Sequence, residues 1–422
     1  MAPPLRTEVI AGITTFFTMA YIVVVNPSIL ATEGTGLPFT AVMTATVVLS
    51  ASMTLFMGLY AKLPYAVAPG MGINAFFTFG LILGRKIPWP TALGIVFWAG
   101  MFFVLISVTG LRVAIARAIP RNLRPATAVG IGLFLALLGF RGAGIVAADP
   151  VTFVRLGHLD ARALLAVIGI AIVVALMRRK NAFAFLAAIA FVTAASLPLG
   201  LAHAPTKVFE APDFSLVGKL DVVGALTPAL APAIVSILLT DLFDSISTFI
   251  GVSQGAGLVD EDGEPLRLRE GLVVDAFATL TAGLLGTSSG TAFVESTAGV
   301  ELGGRTGRTA VVTALCFVPC LVLGPLAAVV PSHATAPVLV VVGALMFRSA
   351  ASLTLEKLED LVPAFLTIAL IPLTFSITQG ILWGFVAHAV LYALAGRARE
   401  VDRATWVMAA VSVALLVVER GV

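Results

Sequence analysis

GTSSGTAFVESTAGV, residues 286–300, places a single carboxylate, Glu295, among small and apolar residues. An ionisable side chain at membrane depth costs roughly 2.5–3.5 kcal/mol, so such residues are usually retained for function. The glycines, serines and threonines around Glu295 make a poor continuous membrane helix, and the residues before it favour a short strand. We therefore expect a broken membrane segment with Glu295 at a binding site.

The composition of the whole chain is that of an integral membrane protein. Of 422 residues, 59% are hydrophobic and 12% are charged, and the mean hydropathy is +1.05. Soluble domains carry roughly 25% charged residues. Apolar stretches near the roughly 20 residues needed to cross a bilayer recur throughout and leave no room for a sizeable soluble domain. We expect an all-α, polytopic protein of the cell (plasma or inner) membrane, with the lipid bilayer as its solvent.

The basic residues are dispersed over short loops, although the net charge is +3 and the isoelectric point is near 9.0. Dispersion of this kind does not indicate a nucleic-acid partner. Basic clusters follow alternate spans, which predicts that those loops and the N-terminus are cytoplasmic. Arg85 and Lys86 break the pattern. The clusters are Arg112, Arg117, Arg121 and Arg124; Arg178, Arg179 and Lys180; Arg305 and Arg308; and Arg397, Arg399 and Arg403.

Apolar runs divide the chain into two halves of seven spans each. The third span of each half is short and interrupted, at 65–83 and at 288–302. An odd number of spans per half means that the halves insert with opposite orientation, as inverted repeats. A last apolar run, 404–419, is marginal for spanning. The other predicted spans are 9–31, 39–61, 87–111, 124–140, 161–177, 183–202, 226–252, 271–287, 309–330, 334–350, 361–377 and 379–396.

The two interrupted segments hold corresponding positions, which points to a binding site between them. PYAVAPGMGINAFFTFG, residues 64–80, contains Pro69, Gly70 and Gly72, which prevent a helix at its start. A helix is expected just after each break, with its backbone N–H groups aimed at the membrane centre. Two short strands that end at facing helix N-termini should form a polar slot, in which Asn74 is a further candidate.

A third segment, ILLTDLFDSISTFIG at residues 237–251, carries two acids three residues apart on one helical face. Asp241 is interpreted either as a structural residue, paired with a neighbouring helix, or as a proton carrier. Asp244 lies beside a polar stripe that includes Ser247 and Thr248, and this stripe favours a functional role.

Other polar residues and motifs are assigned to structure. Asp275 is expected to pair with a neighbour, and Asn26 to fill the backbone gap before a proline. GTSSG at 286–290 matches the G-x-S-x-G elbow of hydrolases, but that elbow requires an α/β sheet. No G-x-G-D sequence accompanies the acids, so an aspartyl protease is not indicated. Cys316 and Cys320 are interpreted as packing residues. We predict no enzyme, no metal site and no cofactor.

Four segments together resemble the AzgA-type adenine/guanine/hypoxanthine permeases of the wider nucleobase-ascorbate (nucleobase/cation symporter-2) group. They are AGITTFFTMAYIVVVNPSIL, APGMGINAFFTFG, DLFDSISTFIGVSQGAGLVD and GTSSGTAFVESTAG, and the match is collinear over nearly the whole chain. The resemblance implies fourteen spans in two inverted repeats of seven. The first span lacks the pair of polar residues that uracil and xanthine relatives place there, which favours the AzgA branch.

The resemblance also divides the chain into a core domain, spans 1–4 and 8–11, and a gate domain, spans 5–7 and 12–14. The core domain then comprises residues 1–113 and 223–331, and the gate domain comprises 114–222 and 332–422. The family binds its base between the two domains, and relatives form homodimers through the gate domain.

The family's functional residues match individual positions of this chain. Glu295 and Asp244 correspond to the acids of the tenth and eighth spans, and Asn74 to the asparagine of the PGMGxN motif. A purine edge presents N–H donors to carboxylates and acceptors to backbone N–H groups, and its face can stack on an aromatic ring. The candidate substrate-binding residues are Glu295, Asp244, Asn74, Gly72, Phe76, Phe293, Thr248 and Ser296, with Phe77 as a further stacking candidate.

The acids also suggest how transport is driven. Burial disfavours their ionised form and favours proton uptake, which predicts proton symport with Glu295, Asp244 or Asp241 as the carrier. Na⁺ is the alternative coupling ion. An anion permease of the same fold, for sulfate, bicarbonate or a dicarboxylate, is the chief alternative function, although Glu295 would repel an anion. A channel would need a continuous polar lining, which the long charge-free runs of the sequence do not indicate. The choice between adenine and guanine/hypoxanthine stays open, because both acceptors and donors are present.

Overall fold

Apolar helices make up most of the protein. The computed structural model describes residues 3–109, 120–205, 207–259 and 265–420, without the side chains of residues 254–256 and 419–420. Among these residues, eight helices have the length and hydropathy needed to cross a bilayer, and four shorter apolar helices accompany them. The predicted mostly helical, membrane-spanning architecture is confirmed. The helices are α1 (Leu5–Met19), α2 (Ile22–Leu30), α3 (Phe39–Phe56), α4 (Met71–Ala75), α5 (Trp89–Thr109), α6 (Leu123–Gly142), α7 (Ala161–Arg178), α8 (Ala184–Ser196), α9 (Ala231–Ala256), α10 (Leu268–Leu285), α11 (Ser296–Glu301), α12 (Gly307–Phe317), α13 (Gly324–Ala328), α14 (Ser332–Phe347), α15 (Leu358–Thr374), α16 (Ile377–Leu394) and α17 (Arg403–Arg420).

Two of the short strands lie in the two interrupted segments. They pair antiparallel, with Val67 opposite Ala292 and Pro69 opposite Gly290. Helix α4 begins just after the first strand and α11 begins four residues after the second. The strands predicted for these segments are therefore confirmed, and the two halves of the chain meet in one small sheet. A second pair forms an exposed hairpin that the sequence did not predict. The strands are β1 (Val67–Pro69), β2 (Val146–Asp149), β3 (Phe153–Leu156) and β4 (Gly290–Ala292).

Polar side chains satisfy the backbone groups that the two-stranded sheet leaves unpaired. The Thr54 hydroxyl accepts from the Val67 N–H at 2.9 Å and donates to the Val67 carbonyl at 3.0 Å. The Ser296 hydroxyl accepts from the Ala66 N–H at 3.0 Å. Non-helical backbone at membrane depth is tolerated only where such partners replace water. The hydroxyl groups around the break are therefore part of the fold.

The helices pack in two groups. One connected group of contacts contains α1, α3, α5, α9, α10, α11 and α12, and a second contains α6, α7, α8, α14, α15 and α16. Close approach depends on small residues: a Cβ added to Gly132 of α6 would lie 2.6 Å from the carbonyl oxygen of Gly343 in α14. Lipid is as apolar as the helix surfaces, so this close backbone packing is a main source of association.

Some helix ends differ from the predicted spans. Helix α8 ends at Ser196 rather than at residue 202, because Pro198 has no backbone N–H with which to continue the helical hydrogen bonds. The predicted span 309–330 is split: α12 ends at Phe317, and a 3₁₀ segment that contains Pro319 separates it from α13. The predicted domain boundary at 113/114 lies outside the described residues, as do Arg112 and Arg117. The count of fourteen spans stays a prediction.

Candidate functional site

Glu295 lies at the end of the break between β4 and α11, where its side chain is partly exposed. Its carboxylate accepts a 2.5 Å hydrogen bond from the hydroxyl of Tyr21, which is completely buried. The Tyr21 ring packs on Phe185 of α8, with ring centroids 4.7 Å apart. The Thr18 hydroxyl also donates to the Glu295 carbonyl at 3.4 Å. Thr18 of α1 and Tyr21, which directly precedes α2, therefore fix the position of Glu295. Sequence reasoning missed Tyr21, because its partner is 274 residues away.

The two acids of α9 have different surroundings. Asp244 is partly exposed and faces the same cavity as Glu295, together with Thr240 and Thr248. Asp241 is completely buried behind the cavity wall, where its Oδ2 accepts hydrogen bonds from the hydroxyls of Thr279 and Ser289, the latter at 2.7 Å. Asp244 therefore faces open space, whereas Asp241, three positions earlier in the same helix, is embedded in a network of hydroxyl groups.

Asp275 of α10 connects the acid-bearing helix to the strand. Its Oδ1 accepts from the Ala292 N–H at 2.7 Å, and its Oδ2 accepts from the Ser245 hydroxyl. Ala292 is three residues before Glu295, and Ser245 follows Asp244. Asp275 is completely buried, and pairing with neighbours is what the sequence predicted for it. It braces both segments that carry the cavity carboxylates.

Several predicted site residues support the break rather than line the cavity. The Asn74 side-chain oxygen accepts from the Ser288 hydroxyl, and the Ser296 hydroxyl is occupied by the Ala66 N–H. Asn26 donates to Thr46 at 2.7 Å and to Thr287 at 2.9 Å, so it bridges three segments, in agreement with a structural role. These amides and hydroxyls lie in the buried framework directly behind the cavity.

Gly72 and the three candidate phenylalanines, Phe76, Phe77 and Phe293, also lie outside the cavity lining. A Cβ added to Gly72 would lie 2.4 Å from Cγ2 of Ile131, which itself lines the cavity. Phe76 is 1% exposed and Phe293 is 5% exposed. The aromatic side chains that do line the cavity are Phe185 and Phe243.

The cavity has a volume of about 1030 Å³ and runs between two walls. Helices α1, α9 and α11 form one wall, and α6, α8 and α14 form the other. Glu295 and Asp244 are only partly exposed, whereas most of the other charged residues in the lining are exposed, so the two acids lie towards the deep end. Its mouth is lined by four cations and one acid: Arg121, Arg124, Lys180, Arg348 and Glu301. The arrangement suits a small polar ligand with hydrogen-bond donors.

A helical membrane protein in which two carboxylates line a cavity beside two broken segments has the architecture typical of a transporter. The fold is similar to that of the transmembrane domain of a cyanobacterial bicarbonate transporter, BicA, with a TM-score of 0.67 over 90% of this chain and 97% of that one. At 19% identity, this likeness concerns the fold alone. Residues 6–383 match the model of the Permease family. The chain belongs to that family, within its AzgA-type nucleobase branch.

Two relatives support the branch assignment. The adenine permease AdeP of Escherichia coli (strain K12) is 41% identical over 399 residues, which cover 94% of this chain and 89% of that protein. The guanine/hypoxanthine permease PbuO of Bacillus subtilis (strain 168) is 40% identical over 412 residues, 94% of each chain. The resemblance found in the sequence is confirmed. So is the conclusion that the protein is not an enzyme, because its relatives are permeases.

Proposed function

We propose that this protein takes up purine nucleobases, adenine or guanine and hypoxanthine, by proton symport. The observation that carries the proposal is the pair of carboxylates, Glu295 and Asp244, that face one cavity from two different segments. The relatives that transport adenine and guanine/hypoxanthine support the substrate class.

The base binds between the carboxylates with its N–H edge toward them. Glu295, held by Tyr21, accepts one N–H group, and Asp244 accepts a second. Thr248 offers a hydroxyl at the same wall, and Phe185 offers an aromatic face. Asn74, Ser296, Gly72, Phe76 and Phe293 act from behind this site, by keeping the break in shape.

Transport follows from relative movement of two domains. The helix group that contains α1, α9 and α11 forms the core domain (1–113 and 223–331), and the group that contains α6, α8 and α14 forms the gate domain (114–222 and 332–422). Packing within each group, and the position of the cavity between them, support this division. The chain forms fourteen spans in two inverted repeats. Its N-terminus and its basic loops are cytoplasmic, so the mouth of the cavity opens to the cytoplasm. Two copies pair through their gate domains in a homodimer.

Proton coupling rests on the acids. In the empty cavity, burial disfavours the charged form of a carboxylate and favours proton uptake. A bound base, whose N–H groups donate to the carboxylate, favours the charged form. Glu295 and Asp244 meet the base directly, whereas Asp241 would act through Thr279 and Ser289. Na⁺ coupling is the alternative that the assay below separates. Anion transport is not favoured, because two carboxylates at the cavity floor repel an anion.

Uptake of labelled hypoxanthine and adenine, in cells that lack their own purine permeases, tests the proposal. We expect uptake that a protonophore abolishes, that purines block and that uracil and sulfate leave unchanged. Uptake that requires Na⁺ and ignores the protonophore would contradict proton coupling.

Glu295→Gln keeps the size of the side chain and removes its charge, so proton-driven accumulation should be lost. The exposed Glu356→Gln is the matched control and should behave as the parent. Full gradient-driven accumulation by Glu295→Gln would exclude Glu295 as the obligatory carrier.

A further inference from the structure

The cavity is graded in charge from its floor to its mouth. The floor carries Glu295 and Asp244, and the mouth carries Arg121, Arg124 and Arg348. Lys180, also at the mouth, is paired with Glu301 at 3.1 Å, across the gap between the loop after α7 and the end of α11. Four cations and one acid give the mouth a net positive charge, opposite to that of the floor.

The three arginines come from two segments that the structure ties together. Asn122 donates to the Thr354 carbonyl at 2.8 Å and accepts from the Thr354 N–H at 3.0 Å. These two bonds hold the start of α6, with Arg121 and Arg124, beside the chain that follows Arg348. The preference of cytoplasmic loops for basic residues explains positive charge at this level, but not its concentration around one cavity.

The cavity is deeper than a free base requires. Along α11, Glu295 and the mouth residue Glu301 are six residues apart, which is roughly 9 Å at the helical rise of about 1.5 Å per residue. That separation is comparable to the distance from the hydrogen-bonding edge of a purine to the phosphate of its nucleoside monophosphate. The volume of about 1030 Å³ also leaves space beyond a bound base.

We propose that purine nucleoside monophosphates bind this cavity from the cytoplasmic mouth and inhibit transport, with the base at Glu295 and Asp244 and the phosphate at Arg121, Arg124 and Arg348. Arginine is suited to this role, because its planar guanidinium binds phosphate oxygens in pairs. The charged phosphate cannot follow the base across the membrane, so the nucleotide is an inhibitor and not a substrate. The inference rests on the function proposed above.

The biological consequence is feedback by the product of base salvage. A base that enters the cell is available to any reaction that attaches a ribose phosphate to it. The resulting nucleotide would then occupy the cavity from inside and slow further uptake. The chemistry requires a purine and a phosphate in one molecule, which gives the experiment its controls.

Equilibrium binding of labelled hypoxanthine to the purified protein in detergent tests the inference, with IMP, inosine, UMP and inorganic phosphate as competitors. We expect IMP to displace hypoxanthine at least about tenfold more effectively than inosine, because each charge-assisted contact adds about a factor of ten or more. UMP and inorganic phosphate should not compete at the same concentrations. Added salt should weaken IMP and leave hypoxanthine unchanged, because partly exposed charges are screened.

A double variant, Arg121→Gln with Arg348→Gln, locates the phosphate site. It should raise the IMP concentration needed for half-displacement by about tenfold or more, and leave hypoxanthine affinity as in the parent. Arg308→Gln removes a cation on the same side of the protein but outside the cavity lining, and it should change neither quantity.

Each failure has a separate meaning. If hypoxanthine binds but IMP does not compete, or if IMP and inosine compete equally, the inference is wrong and the proposed function stands. An unchanged IMP response in the double variant would overturn the assignment to the arginines. If neither hypoxanthine nor labelled adenine binds, the proposed function fails, and the inference fails with it.

Discussion

Replacement of Tyr21 by Phe tests whether the hydroxyl that contacts Glu295 contributes to binding. The Tyr21 hydroxyl donates to the Glu295 carboxylate at 2.5 Å, and Tyr21 is completely buried. A hydrogen bond to a charged group is worth about 1.5–3 kcal/mol, and each 1.4 kcal/mol corresponds to a factor of about ten in affinity. Tyr21→Phe keeps the ring that packs on Phe185 and removes only the donor.

We expect the dissociation constant for the transported base to rise by about tenfold, the lower end of this range, because Glu295 is no longer held in place before the base binds and water replaces part of the lost hydrogen bond. Equilibrium binding to the purified protein measures it. Tyr65→Phe is the matched control: it removes a buried hydroxyl that lies 2.6 Å from Ser253 Oγ, and Tyr65 does not line the cavity. Both variants should lose similar stability, but only Tyr21→Phe should lose affinity.

A double-mutant cycle with Glu295→Gln then separates direct from indirect effects. If Tyr21 acts through Glu295, its removal should cost much less in the Glu295→Gln background than in the parent. Two results would refute the reasoning: affinity within about twofold of the parent in Tyr21→Phe, or strictly additive losses in the double variant.

Three further substitutions test the framework and its limits. Asp275→Asn leaves one of two buried donors, such as the Ala292 N–H, without an acceptor. It should lower the free energy of unfolding by about 1–3 kcal/mol and lower the maximal uptake rate. An unchanged melting temperature would contradict this. Gly72→Ala places a Cβ 2.4 Å from Ile131 Cγ2 and should impair uptake, and adding Ile131→Ala should restore part of it; no recovery would exclude this clash as the cause. The Asp160 side chain caps α7 by accepting from two backbone N–H groups, so Asp160→Ala should lower the free energy of unfolding by about 1 kcal/mol and leave KM unchanged. An altered KM would contradict a purely local effect.

Features that depend on local sequence were predictable. Pro69 and Gly70 keep a helix from starting before Met71, whatever the rest of the chain does, and the strands at both breaks follow from the same reasoning. Gly72 was wrongly expected to prevent a helix, because it lies within α4. Glu295 and Asp244 were identifiable because ionisable residues are costly in apolar segments. The structure places both of them in the lining of one cavity.

Features that depend on contacts between distant segments were not predictable. Asp241 and Asp244 have similar local sequence, and only the packing of α10 and the second break decides that Asp241 meets Thr279 and Ser289. The Tyr21–Glu295 contact likewise joins opposite halves of the chain. Helical spacing gives the face on which a residue lies, but not the neighbour that covers this face.

The two cavity acids also differ in what holds them in place. Asp244 lies within α9, where continuous backbone hydrogen bonding fixes its position. Glu295 follows a break whose backbone is held by side chains from other helices, including Asp275 of α10 and Thr18 of α1. Changes in the hydroxyl and carboxylate framework should therefore displace Glu295 first. This explains why so many polar residues that never meet the cavity are concentrated behind it: they make one carboxylate available at membrane depth.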